Sequence, residues 1–219
     1  MKIKFLANVG ALLFLISIFY MIRLFDFSYE AKHPTLNEKS MSPDIHLNNV
    51  RHYTREVDQN RSLFHLDQAI QSIQYLESDV DLNTNTIVEE AVEKLIFIYE
   101  EIKEDTLISE DMNHAFEFAL TSLSLAELRV SERYAESNKL ELSRVALKYS
   151  KLHLKHALEY AESNSAIGYE KHVYHEIDSL LANYNDAPVT ITARIDHMID
   201  EMDSLLVLER AQSVKLSID

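Results

Sequence analysis

Phe118-Ala119-Leu120-Thr121-Ser122-Leu123-Ser124-Leu125-Ala126-Glu127-Leu128 leads to Tyr134-Ala135-Glu136-Ser137-Asn138, and a second run from Leu140 closes on Tyr160-Ala161-Glu162-Ser163-Asn164. The same five letters end two consecutive segments of helical period. That pattern predicts a helix, a tight turn and a second helix of similar length, the seed of a helical bundle. In the first segment Met112, Ala115, Phe116, Ala119, Leu123, Ala126 and Val130 form one apolar stripe, while Phe118, Leu125 and Leu128 lie on the opposite side. A stripe that wide predicts a helix covered on more than one face, either central to the bundle or at an interface. Phe118, Leu125 and Leu128 are therefore the interface candidates, with cover by the chain's own helices as the competing reading.

Working outward, Thr86-Ile87-Val88-Glu89 reads as a capping box for a helix burying Val88, Ala91, Val92, Leu95, Ile98, Tyr99 and Ile102. Its other face, with Glu89, Glu90, Glu93, Lys94, Glu100, Glu101 and Lys103, reads as solvated. Ser109-Glu110-Asp111 supplies a capping hydroxyl and two carboxylates to the next N-terminus. Earlier, Leu63, Leu66, Ile70, Ile73 and Val80 mark one helical face between about Val50 and Val80. Later, a helix is expected from about Ala166 to Tyr184, with Gly168 as an alternative left-handed stop. Pro188 then introduces a last helix whose seam is Ile191, Ile195, Met198, Met202 and Leu205. With two glycines and three prolines in 219 residues, breakers for a turn-rich β fold are scarce. The expected fold is all-α: an N-terminal transmembrane anchor followed by an elongated antiparallel bundle of about six helices, with coiled-coil-like packing.

Residues 1–4 carry Lys2 and Lys4, and Phe5 to Ile22 are free of charge and reach the minimum length of a bilayer span. No small-residue cleavage site follows, because Arg23-Leu24-Phe25-Asp26-Phe27 is bulky or charged. Residues 5–25 are read as an uncleaved signal anchor with 1–4 in the cytoplasm, by the positive-inside tendency. Residues 26–48, with Pro34 and Pro43, read as a tether, and 49–219 as the bundle. The expected localisation is an inner membrane, single-pass, with the C-terminal domain periplasmic or otherwise extracytoplasmic.

A net charge of -15 argues against an electrostatic grip on nucleic acid or on an anionic lipid surface, and no nucleic-acid partner is expected. The absence of cysteine removes disulfides and thiolate metal sites. No nucleophile elbow, phosphate-binding loop, dinucleotide fingerprint or zincin motif is present, so no enzyme activity and no cofactor are expected. A di-iron carboxylate bundle needs Glu-x-x-His pairs, and no histidine here has a glutamate three residues before it.

Two His-x-x-His pairs remain, His153/His156 and His172/His175. Residues three apart share a helix face and can converge on one metal. At roughly 100° per residue the first pair falls within the apolar arc and the second falls opposite it. His153 and His156 are thus the metal candidates, against a plainer reading as core-edge imidazoles bonded to tyrosine or carboxylate partners on a facing helix. Together these features predict a membrane-anchored bundle that works by contact, with a protein partner or as a homo-oligomer. The alternative is a ligand- or metal-binding sensor using His153 and His156.

Overall fold

In the computed structural model the chain divides into two units, Met1–Pro34 and Thr35–Asp219. The structure describes residues 38–76, 82–161, 164–184 and 186–216, all in the second unit. The anchor expected at residues 5–25 lies outside the described residues, and within them no helix is long and apolar enough to cross a membrane.

Among the described residues a short 3-10 turn, Glu38–Met41, is followed by seven α-helices: α1 Ser42–Arg55, α2 Gln59–Leu76, α3 Leu82–Glu104, α4 Ser109–Glu136, α5 Leu140–Ala157, α6 Asn164–Ala182 and α7 Pro188–Leu216. No strand occurs among the described residues. Successive helices pack on one another, and α4 packs on α3, α5 and α7. Phe116, Phe118, Leu120, Leu125 and Leu128 of α4 are each 0 % exposed. Both sides of α4 are thus covered by the chain itself, which accounts for the width of its apolar pattern.

The antiparallel α4–α5 seam is lined by small residues. Ser124 and Ser150 hydroxyls meet at 2.8 Å, Ser131 and Ser143 at 2.8 Å, and Tyr184 donates to Ser143 at 2.6 Å. Ala135, Ala146 and Ala157 are buried on the same two helices. Short side chains let the backbones approach, and each buried hydroxyl meets another, as burial requires.

Several sequence expectations shift. Helix α1 begins at Ser42, inside the expected tether, with Pro43 at its first turn where the missing N–H is harmless. The single helix expected from Val50 to Val80 is broken at Glu56–Asp58, which makes seven helices rather than six among the described residues, and its expected end at Val80 lies outside them. Helix α3 starts at Leu82, so Thr86 lies within it rather than capping it, and Glu89 accepts from the Asn85 amide at 3.1 Å. Ser109 is the first residue of α4, with extended Ile108 at the cap. The repeated pentapeptide also diverges. Its first copy ends α4, whereas α5 stops at Ala157 and the second copy begins in the following turn. Gly168 sits inside α6.

Three helices end in one motif. After α1, α3 and α4, Val57, Asp105 and Asn138 take φ of 60°, 59° and 56°. Asp58 N–H bonds Tyr53 C=O at 2.9 Å while Val57 N–H bonds Thr54 C=O at 3.1 Å. Thr106 to Glu101 with Asp105 to Ile102, and Lys139 to Tyr134 with Asn138 to Ala135, repeat that pairing. These are Schellman closures built without glycine. Asn and Asp tolerate the left-handed region, whereas a β-branched valine does not.

Val57→Gly is accordingly expected to raise stability by about 1 kcal/mol. Gly168→Ala is expected to add roughly 0.5 to 1 kcal/mol, because a Cβ there meets nothing within 4 Å. Urea midpoints of the two variants check both, and a lowered midpoint for Gly168→Ala would contradict its place inside α6.

Candidate functional site

Asp44 is the hinge of the polar interior. It projects from the first turn of α1 with its side chain 1 % exposed, and its two carboxylate oxygens face two histidines of α5. His153 Nδ1 lies 2.7 Å from Oδ2, and His156 Nδ1 lies 2.7 Å from Oδ1. The i, i+3 spacing makes this possible, because it sets both imidazoles on the α5 face that α1 covers. The His156 contact is a directed hydrogen bond. The His153 contact is equally close, but its N–H is not aligned on the oxygen, so it acts as an electrostatic contact.

The inward pair is therefore brought together on a carboxylate, and the outward pair is not part of the cluster. His172, 56 % exposed at its side chain, bonds Glu201 at 2.9 Å, and His175 is exposed. Among the described residues no group of three metal-ligating side chains converges. Both Nδ1 atoms of the inward pair face Asp44. The opposite nitrogen of His153, Nε2, is buried without a hydrogen-bond partner among the described residues. The interface candidates Phe118, Leu125 and Leu128 are each 0 % exposed and offer no surface to a partner in this fold.

Three glutamates missed by the sequence reading lie inside. Glu117 and Glu127 of α4 and Glu170 of α6 are 6 %, 2 % and 0 % exposed. Thr121 donates to Glu170 Oε1 at 2.8 Å. Burial pushes Glu170 up to about 8, the neighbouring Glu117 charge adds to this, and the Thr121 bond opposes it. Burial likewise holds Glu127 well above the usual carboxylate range, against a hydrogen bond from Ser40. The signal was present in α4 itself, since a helix apolar on both sides leaves its carboxylates no solvated face.

For Asp44, burial works to raise the pKa, but the two histidines outweigh it and bring the group down to about 2. His156 is raised, first by its bond to Asp44. Tyr160, edge-on to Phe116 at 5.4 Å and beneath the Arg51 guanidinium at 4.5 Å, is pushed up to about 12 by burial.

The outer surface carries a second feature. On α3, Ile96 is 45 % and Phe97 59 % exposed. Glu89, Glu93, Glu100 and Glu104 are exposed at helical spacing around them. Lys94 is turned inward, over the Phe118 ring at 4.9 Å, while Lys103 pairs with Glu100 at 2.8 Å. In the sequence this face reads as solvated, because the carboxylates dominate its period. A cavity of about 70 Å³ lies near one end of α3, lined by Thr54, Val57, Gln59, Ser62, Ile102, Asp105 and Leu107, room for little more than water.

Two expectations follow. Asp44 contributes stability at pH above 3.8 that is lost as pH falls toward about 2. Glu170 binds its proton more tightly folded than unfolded, so its contribution is full below 4.5 and is lost as pH rises toward about 8. Glu127 shares that sign, and the raised His156 loses its contribution as pH climbs past 6.5. The lowered His46 and His65 act the other way and lose their contribution as pH falls below 6.5, so the clean window lies above pH 7, where melting temperature should fall toward pH 8 and Glu170→Gln should flatten the fall. A melting temperature that climbs from pH 7 to 8 would contradict this. Separately, Asp44→Ala strands two imidazoles against the core and is expected to cost about 3 kcal/mol, read from denaturant midpoints at pH 6.

Comparison with known proteins finds no matching family model, no similar curated protein and no matching solved structure.

Proposed function

We propose that this protein is a membrane-anchored, extracytoplasmic helical module that works by protein contact, and that the outer face of α3 is its contact surface. The observation that carries this reading is the pair Ile96 and Phe97, 45 % and 59 % exposed in a frame of exposed glutamates. Adjacent large apolar side chains on a charged helix cost solvation and repay it only when covered. An aromatic at the centre of a polar rim is the usual anatomy of an energetic centre in an interface. The frame selects the partner's chemistry: an apolar socket bordered by lysine or arginine, which the net charge of -15 would also attract from a distance. The charge-free run Phe5 to Ile22 supports the anchoring half of the reading.

The test is site-specific photo-crosslinking in native membranes, with the probe at Ile96 and a control probe at Val189, which is 79 % exposed on α7. One protein partner should be trapped from Ile96 and not from Val189. Phe97→Ala should reduce that product at least about tenfold while the urea midpoint stays within about 0.5 kcal/mol of wild type. Trapping only of a second copy would replace the partner by a homo-oligomer, and equal trapping at both positions would defeat the surface assignment. A reporter fused after Asp219 is expected to be active only outside the cytoplasm.

A further inference from the structure

A second histidine pair lies on the α1–α2 hairpin, apart from Asp44 and from the α3 face. His46 Nδ1 and His65 Nδ1 approach to 2.9 Å, with ring centroids 5.2 Å apart and planes tilted by 35°. A centroid separation that large for nitrogens so close means that the rings meet head-on, each Nδ1 directed at the other. Both residues are half-buried, so the edge where they meet is within reach of small solutes. Tyr53 stacks on His65 at 5.3 Å with planes 2° apart, and Phe64 closes its side edge-on at 5.2 Å.

Two opposed nitrogen donors at this distance share one proton, one ring donating and the other accepting. The same lone pairs can hold a metal ion in the proton's place, and the surroundings decide which kind. No third histidine, cysteine or carboxylate joins the pair among the described residues, which leaves a zinc ion short of its four ligands. The charged group felt by His65 is Arg61, whose guanidinium lies over Tyr53 at 5.2 Å, so a doubly charged ion gains no neutralisation here. Collinear donors suit an ion satisfied by two opposed ligands, while square-planar copper(II) or nickel(II) would take this pair as trans ligands and still lack two of its four donors. Aromatic walls favour a soft, weakly hydrated ion over a hard one.

We propose that His46 and His65 form a linear, two-coordinate site for a monovalent soft metal ion, copper(I) in its biological form and silver(I) as its stable analogue. An ion about 2 Å from each nitrogen requires the rings to part by about 1 Å, a side-chain adjustment at a half-exposed position. Binding moves the donor ring's Nδ1 proton to its own Nε2, so that both rings stay neutral and both Nδ1 lone pairs face the ion.

The full-length chain suits the test because it contains no cysteine to compete for the ion. Silver(I) titrated by calorimetry should bind at one equivalent, with the His46 and His65 ring nitrogens shifting in ¹⁵N spectra. His46→Ala and the conservative His65→Gln should each weaken binding at least about tenfold, while His172→Ala leaves it unchanged. Circular dichroism shows that each variant is folded. Silver affinity equal in all variants, or zinc binding at the pair as tight as silver binding, would falsify the site and leave only the proton-sharing pair.

Discussion

Burial of α4 on every side from Ala115 to Leu128 is the constraint on which the rest of the structure depends. A helix with Phe116, Phe118, Leu125 and Leu128 all at 0 % exposure must be surrounded, and α3, α5 and α7 supply much of that cover. The hydrophobic gain from apolar side chains on both sides draws the middle of the helix inside, polar residues included. Glu117, Thr121, Ser122, Ser124, Glu127 and Ser131 are therefore interior groups that must find partners or lose charge.

How they do so gives the bundle its character. The serines pair across α4 and α5, which costs little and lets the two helices pack closely. The carboxylates take the other course, with Glu127 and Glu170 held above their usual range so that the protonated form is the buried one. Asp44 is kept ionised in the core, because two α5 imidazoles meet its oxygens. The interior is thus organised by where protons sit, whereas Ile96 and Phe97 of α3 and the His46–His65 edge of the α1–α2 hairpin lie at the surface. That division is consistent with a module that recognises through its surface and uses its polar core to fix one packing arrangement.

Local chemistry and tertiary demand disagree most plainly at the helix ends. Tyr-Ala-Glu-Ser-Asn closes α4 through a left-handed Asn138, yet at its second occurrence the helix has already ended at Ala157. Tyr160 is instead held in the turn against Phe116, beneath Arg51. Thr86 and Glu89 have the letters of a capping box, but the helix begins at Leu82, because propensity at a terminus is worth less than another turn of packed surface. Val57 takes a left-handed turn that its side chain opposes, since the α1–α2 closure requires one there.

By itself the sequence determined the all-helical class, the apolar seams of α2, α3, α4 and α7, the two-sided apolar pattern of α4, and the opposite orientation of the two His-x-x-His pairs. These follow from helical period, which is local and survives any arrangement of the helices. Only the tertiary structure decided that His153 and His156 share Asp44, that Glu170 lies against Thr121, and that His46 meets His65. Each of these joins residues far apart in the chain on different helices, and no spacing along one helix encodes which neighbour its face will meet. Exposure of Ile96 and Phe97 was undecided for the same reason, because an apolar residue on a mixed face is core or surface according to what packs over it.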